Sequence, residues 1–90
     1  MLVTLGKIFG QVLKKIRIDQ GLSQEQLAFE SGFHRTYISL LERGQKNPSL
    51  KTIFQLSKTL KINPSDMLRR IEIQATKLQK DDHKERRHDR

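Results

Sequence analysis

Residues 21–50 read GLSQEQLAFESGFHRTYISLLERGQKNPSL, and this stretch decides the fold. Ser23 and Gln26 have the spacing of a capping box, in which the serine oxygen and the glutamine side chain each satisfy a backbone amide at the start of a helix. That helix can run only to about Ser31, because Gly32 favours the left-handed conformation of a tight turn. We therefore expect a short helix that is followed at once by a turn.

A second short helix is expected over residues 34–43, and its two faces differ in character. The inward stripe, spaced as one face of a helix, consists of Tyr37, Ile38 and Leu41. The outward stripe is polar and basic and consists of Arg35, Thr36, Ser39 and Arg43. Gly44 ends this helix. The order of parts predicts a helix-turn-helix, a motif whose second helix enters the major groove of DNA.

The flanking sequence supplies three further helices. Upstream, a long helix that ends at Gly21 has apolar residues at the spacing of one buried face. They are Leu5, Ile8, Phe9, Val12, Leu13 and Ile16. Downstream, Ser49 is placed to cap a fourth helix, which carries Leu50, Ile53, Phe54, Leu56 and Leu60. Asn63 as a cap and Pro64 at the first helical position predict a fifth helix.

The predicted fold is all-α, with five helices in one domain over residues 1–73. After Ile73 the sequence is rich in Lys, Asp, Glu, Arg and His, so residues 74–90 are predicted to form a charged tail that is mobile from about Gln79. Four residues across this boundary recur by three and four, which is a short coiled-coil-like pattern. They are Leu68, Ile71, Ala75 and Leu78.

Length and composition exclude several classes of protein. A chain of 90 residues has room for one compact domain and none for a second catalytic lobe. It contains no Cys, which excludes a disulfide scaffold and a thiolate metal site and fits the reducing cytoplasm. Lysines interrupt the N-terminal apolar residues, so neither a signal peptide nor a membrane span is expected.

The formal net charge of +8 predicts attraction to polyanions, among which duplex DNA and RNA are the densest in a cell. An anionic membrane surface would attract the same charge, so charge alone does not name the partner.

The chain resembles the phage-repressor and Cro-like helix-turn-helix family, also called the Xre family, from about Leu5 to Ile71. The segments that carry the resemblance are GLSQEQLA at 21–28, Gly32, RTYIS at 35–39, ERG at 42–44 and PSL at 48–50. The run HRTYIS at 34–39 is also similar to the small controller proteins of restriction-modification systems. The resemblance implies a compact five-helix repressor-like domain that binds DNA and regulates transcription as a dimer.

Groove docking predicts that residues near the start of the third helix contact bases. The four candidates are His34, Arg35, Thr36 and Ser39. Arg35 comes first, because its planar guanidinium can donate two hydrogen bonds to one guanine. The alternatives for Arg35 are a phosphate contact or a surface ion pair with Glu30 or Glu42. Thr36 and Ser39 could equally be plain solvated residues.

Other polar residues are predicted to contact phosphates. The resemblance places Gln24 at the start of the second helix, where the backbone amides of a helix N-terminus also attract anions. The ring of Tyr37 points inward, while its hydroxyl can emerge as a phosphate donor. The remaining candidates surround the loop after the third helix, and they are Arg43, Lys46, Asn47, Ser49 and Thr52.

A homodimer on a pseudo-palindromic operator is expected, because one short recognition helix reads too few base pairs for a genomic regulator. The candidate interface residues are apolar and are Phe54, Leu68, Ile71 and Ile73. The alternative is that Phe54 and Leu68 belong wholly to the core of one subunit.

Two other functions fit the sequence. One is an antitoxin-type interaction protein, in which the charged tail folds on a toxin and DNA binding serves autoregulation. The other is a nonspecific coat protein of RNA or DNA. RNA polymerase is a further candidate partner of a regulator. No enzyme, metal or cofactor is expected, since Glu25, Glu30 and Glu42 form no catalytic pair and two of the three histidines lie in the tail.

Overall fold

The computed structural model describes residues 4–86, with the side chains of residues 4–78. This part of the chain contains five α-helices and no strand, which confirms the predicted all-α class. The helices are α1 Leu5–Asp19, α2 Gln24–Ser31, α3 Arg35–Glu42, α4 Leu50–Thr59 and α5 Pro64–Arg86. No helix within residues 4–86 combines the length and the apolar character needed to cross a bilayer.

Side-chain capping bonds stabilise the first turns of α2 and α4. In the capping box of α2, the Gln26 amide donates to Ser23 Oγ at 3.0 Å and the Ser23 amide donates to Gln26 Oε1 at 2.8 Å. Ser49 caps α4 as predicted, because its Oγ accepts from the Thr52 amide at 3.0 Å. His34 precedes α3 without a capping bond from its side chain. The imidazole is therefore left exposed at the start of the third helix.

The first four helices end in the same way. In each, a residue with positive φ follows the last turn, and the next amide donates to a carbonyl five residues back. The positive-φ residues are Gly21, Gly32, Gly44 and Lys61. Three of these turns are those the glycines predict. The fourth is made by a lysine at φ 59°.

One hydrophobic core holds the five helices together. Its buried residues are Phe9, Leu13, Ile16, Leu27, Ala28, Ile38, Leu41, Leu56, Leu60 and Met67. Helix α3 packs against α1 and α2, and α2 also packs against α4. At the turn before α3, the rings of Phe33 and Tyr37 lie with centroids 5.1 Å apart and pack against this core. The core therefore fixes α3 on its inner side and leaves the opposite face free.

Helix α5 runs through Ile73 without a break and continues as far as Arg86, the last described residue. The backbone is thus helical in much of residues 74–90, for which the sequence predicted a charged tail. The predicted mobility begins at about Gln79, where side chains lie outside the described residues, as do residues 87–90 altogether. The tail's mobility and its separation from the domain stay predictions.

Candidate nucleic-acid interface

The outer face of α3 presents polar side chains that the protein itself leaves unused. Arg35 and Thr36 are exposed, and within residues 4–78 neither side chain makes a hydrogen bond or an ion pair. Ser39 is half-buried on the same stripe, and its carbonyl accepts from Arg43 Nε at 3.4 Å. The structure therefore brings the predicted base-contact residues to one face, with His34 at its N-terminal end.

A buried ion pair rules out one alternative for Arg35. Glu42, only 8% exposed, accepts from Arg17 Nε at 2.6 Å and from Arg17 Nη2 at 2.9 Å. Arg17 Nη1 also donates to the carbonyl of Leu22 at 2.8 Å. The hydrogen bonds and the charge of Glu42 raise the pKa of Arg17 against the opposing effect of burial. The carboxylate of Glu42 is therefore occupied by α1, and Arg35 remains free of it.

Gln24 is hydrogen-bonded to the carboxylate of this ion pair. Its Nε2 donates to Glu42 Oε1 at 3.0 Å, so the first side chain of α2 is held against the last residue of α3. One amide proton is used inside the protein, and the second remains for a phosphate oxygen. The contact predicted for Gln24 thus has a built-in orientation, which the sequence did not reveal.

Three hydroxyl groups connect α3 with the start of α4. The Tyr37 hydroxyl lies 2.9 Å from Thr52 Oγ1, which in turn lies 3.0 Å from Ser49 Oγ. Ser49 is exposed and Tyr37 is half-buried, so both side chains have surface free for the phosphate contacts predicted for them. Thr52 is only 4% exposed, which leaves little of its surface for the direct phosphate contact predicted for it. Its hydroxyl positions the other two.

The loop between α3 and α4 carries exposed polar residues, and α1 supports it. Arg43, Lys46 and Asn47 are all exposed. The stem of Lys7 packs against Gly44, where an added Cβ would lie 2.5 Å from Lys7 Cγ. Lys7 therefore adds a third cation beside the loop. Sequence analysis missed it, because periodicity placed Lys7 on the outer face of α1 without showing what lies next to it.

The predicted dimer residues fall into two groups. Phe54, Leu68 and Ile73 are 43–54% exposed, so Phe54 and Leu68 do not belong wholly to the core. Leu68 and Ile73 line one shallow depression on α5. Ile71 is half-buried and packs against the protein's own core, so it offers less free surface than the other three, and its place in the interface stays a prediction. Sequence analysis also did not identify Phe29 on α2 as an exposed apolar residue, and it is 86% exposed.

A short helix braced by a capped partner, with a polar outer face and cations beside it, defines a helix-turn-helix DNA-binding domain. Residues 13–67 match the family described as helix-turn-helix. The chain belongs to this family of DNA-binding transcription regulators.

Several relatives are control proteins. The chain is 50% identical over 62 residues to the control protein C.BamHI of Bacillus amyloliquefaciens, across 68% of this chain and 76% of the relative. The restriction-modification controller protein C.AhdI from Aeromonas hydrophila superposes with a TM-score of 0.67 at 47% identity, across 69% of this chain and 94% of that one. These likenesses confirm the resemblance to controller proteins.

A third relative was solved on DNA. The controller protein C.Esp1396I, as a tetramer in complex with its natural 35-base-pair operator, superposes with a TM-score of 0.71 at 33% identity. The match covers 78% of this chain and 92% of that one.

Proposed function

We propose that the protein is a sequence-specific regulator of transcription that binds double-stranded DNA as a homodimer on a pseudo-palindromic operator. The observation that carries the proposal is the free outer face at the start of α3, where Arg35 and Thr36 are exposed and make no side-chain bond within residues 4–78. A relative of the same family binds its operator as a tetramer. The proposal applies operator binding to this chain, with a homodimer as the binding unit.

In this mechanism α3 lies in the major groove. Arg35 donates two hydrogen bonds to a guanine, and Thr36 and Ser39 contact neighbouring bases through hydroxyl groups. His34, exposed at the N-terminal end of α3, is the fourth base contact. Specificity comes from these four residues, because phosphates carry no sequence information.

Phosphate contacts on both sides fix the depth and register of α3. On one side, Gln24 and the N-terminal amides of α2 meet one strand. On the other, the phosphate contacts are Lys7, Tyr37, Arg43, Lys46, Asn47 and Ser49. The bonds of Gln24 to Glu42 and of Tyr37 to Thr52 hold two of these side chains in place before DNA arrives. Little side-chain freedom is then lost on binding, which favours affinity.

A two-fold dimer places two copies of α3 about one helical turn apart. The exposed apolar side chains of α4 and α5, Phe54, Leu68 and Ile73, form the proposed contact between subunits. Because relatives are control proteins of restriction-modification systems, the genes proposed to be controlled are the protein's own operon or restriction-modification genes.

Selection of bound duplexes from a randomised pool at about 150 mM salt tests the proposal, since that salt suppresses phosphate-only binding. The expected result is a two-fold symmetric motif with half-sites about one turn apart. Recovery of no motif would overturn sequence-specific regulation and leave nonspecific binding or a protein partner. The antitoxin-type alternative predicts that removal of residues 74–90 abolishes partner binding and spares DNA binding. Neither a toxin nor RNA polymerase gains support from the relatives described above.

A further inference from the structure

The first turn of α1 lies directly against the loop that carries Lys46 and Asn47. A Cβ added to Gly6 would overlap the side-chain oxygen of Asn47, and its next neighbours, Asn47 Cγ and the Gly44 carbonyl, lie at 3.6 and 3.8 Å. The Asn47 oxygen therefore occupies the space that a side chain at position 6 would fill. The absence of a side chain at Gly6 allows this close approach and serves no special backbone conformation, since Gly6 lies inside a helix with negative φ.

The middle of this loop lies beside α1 and has few backbone hydrogen bonds of its own. Gln45 still bonds backbone to backbone, its amide donating to the Leu40 carbonyl at 2.9 Å. Between that bond and the Ser49 cap, residues 46–48 make no backbone hydrogen bond within the described chain. Within this stretch Asn47 lies against Gly6, and earlier in the loop Gly44 lies against Lys7.

The orientation of an amide has a chemical consequence. An Asn side chain presents an acceptor oxygen on one side and a donor NH2 group on the other. With the oxygen of Asn47 toward α1, the NH2 group is directed away from α1, and a phosphate oxygen needs a donor.

We propose that Gly6 is a positioning residue for DNA binding: by having no side chain, it seats the Asn47 amide so that its NH2 group meets a phosphate. This inference rests on the proposed function, in which the loop after α3 contacts the DNA backbone. Gly6 touches no DNA and acts only through Asn47.

A double-mutant cycle on the full chain tests this proposal, with Gly6→Ala, Asn47→Ala and both together. The probe is a mixed-sequence duplex of about three helical turns at about 50 mM salt, because a phosphate contact acts on any sequence. Gly6→Ala should weaken binding roughly tenfold or more, because a hydrogen bond to a charged phosphate is stronger than a neutral one. In the Asn47→Ala background the same change should have no effect. Gln11→Ala, an exposed and uncharged change one turn further along α1, is the matched control.

Two further readouts separate positioning from general damage. The thermal midpoint of Gly6→Ala should equal or exceed that of the wild type, because alanine favours helix more than glycine does and only a flexible side chain must yield. The salt slope should stay unchanged, since no cation is lost, whereas loss of a lysine contact lowers it by about 0.9.

The outcomes distinguish the two proposals. Wild-type protein that fails to bind the duplex would overturn the proposed function and this inference with it. Wild-type binding with an unchanged affinity of Gly6→Ala would overturn the role of Gly6 alone. Equal losses in both backgrounds, or a clear fall in the thermal midpoint, would also overturn it, because the substitution would then act on something other than Asn47.

Discussion

Arg17 Nε lies 2.6 Å from Glu42 Oε2, and Arg17 Nη2 lies 2.9 Å from Glu42 Oε1. Two parallel hydrogen bonds therefore join a residue in the last turn of α1 to the last residue of α3. Both residues are 8% exposed. The Gln24 amide bonds to the same carboxylate. One buried carboxylate thus joins all three helices that form the candidate DNA-binding surface.

Removal of one partner of this pair should be costly. Glu42→Ala leaves a buried guanidinium unpaired, and we expect a loss of about 3–5 kcal/mol in the free energy of unfolding. The double variant Arg17→Met with Glu42→Leu should be more stable than Glu42→Ala, because no charge is then stranded. Denaturant unfolding measures both. Lys15→Ala, which breaks the exposed pair with Asp19, is the control and should cost less than about 1 kcal/mol.

The pH dependence of this pair follows from the raised pKa of Arg17. A basic group with a raised pKa in the folded protein contributes its full stabilisation below the ordinary pKa of that group and loses it as pH rises through the folded pKa. The contribution of Arg17 should therefore be constant across neutral and mildly alkaline pH. A decline in the Arg17-dependent part of stability between about pH 7 and 9 would contradict this assignment.

Arg35 and Lys46 should fail in different ways. Arg35→Ala should relax the selected motif at one base position, at a cost of about 1–3 kcal/mol, because a bidentate guanine contact is lost. Lys46→Ala should weaken binding to all sequences alike and lower the salt slope by about 0.9. Duplex selection and salt titration of both variants measure this. An unchanged motif for Arg35→Ala would assign that residue to phosphate or solvent.

The hydrogen-bonded hydroxyls of Tyr37, Thr52 and Ser49 predict effects of different size on DNA affinity. Tyr37→Phe should lower affinity for every duplex roughly tenfold or more, since a hydrogen bond to a charged phosphate, worth about 1.5–3 kcal/mol, is lost. Thr52→Val keeps the Tyr37 hydroxyl but removes its 2.9 Å anchor, so its effect on affinity should be smaller. Titration of a fixed duplex ranks the two variants. A larger loss for Thr52→Val would mean that the geometry of α4, rather than the hydroxyl of Tyr37, controls the contact.

The success of sequence analysis depended on how local each signal was. The capping box at Ser23 and the glycine turns at Gly32 and Gly44 involve residues within one helical turn, so spacing alone predicted them. The Arg17–Glu42 pair joins residues 25 positions apart. Periodicity assigns a residue to a helix face and gives no information about its partner on another helix.

The same limit applies to residues whose surroundings the sequence did not show. Thr52 was predicted as a surface contact from its place after the loop, yet it packs beneath Tyr37 and Ser49. Ile71 was predicted at an interface from its apolar character alone, and periodicity did not show that part of its side chain packs on the core. Residues 74–86 were judged by the apolar surface they could bury. Their Lys, Gln, Glu and Arg residues are also good helix formers, which fits the continuation of α5 to Arg86.

The dimer prediction has a control within the chain. Phe54→Ser and Leu68→Ser each remove an apolar side chain that is 54% or 43% exposed, so they should convert the dimer to a monomer with little loss of monomer stability. Phe29→Ser removes a more exposed ring, 86%, from a different helix and should leave the dimer intact. Sedimentation equilibrium distinguishes these results. Dissociation by Phe29→Ser alone would move the subunit contact to α2.

The turn after α4 gives a stability prediction of the opposite sign. Lys61 has φ 59° at a position where α1, α2 and α3 use glycine. The Cβ of Lys61 costs about 1–2 kcal/mol of strain in the left-handed region, which glycine would remove. About half of this stabilisation would be lost again, because glycine gives the unfolded chain more conformational entropy. Lys61→Gly should therefore raise the free energy of unfolding by about 0.5–1 kcal/mol, or the thermal midpoint by a few degrees. Lys61→Ala, which loses the charge and keeps the Cβ, should give no such gain. Equal stabilisation by both variants would show that the benefit comes from removing one of many positive charges. Stabilisation by glycine alone would show that backbone strain at this turn limits stability.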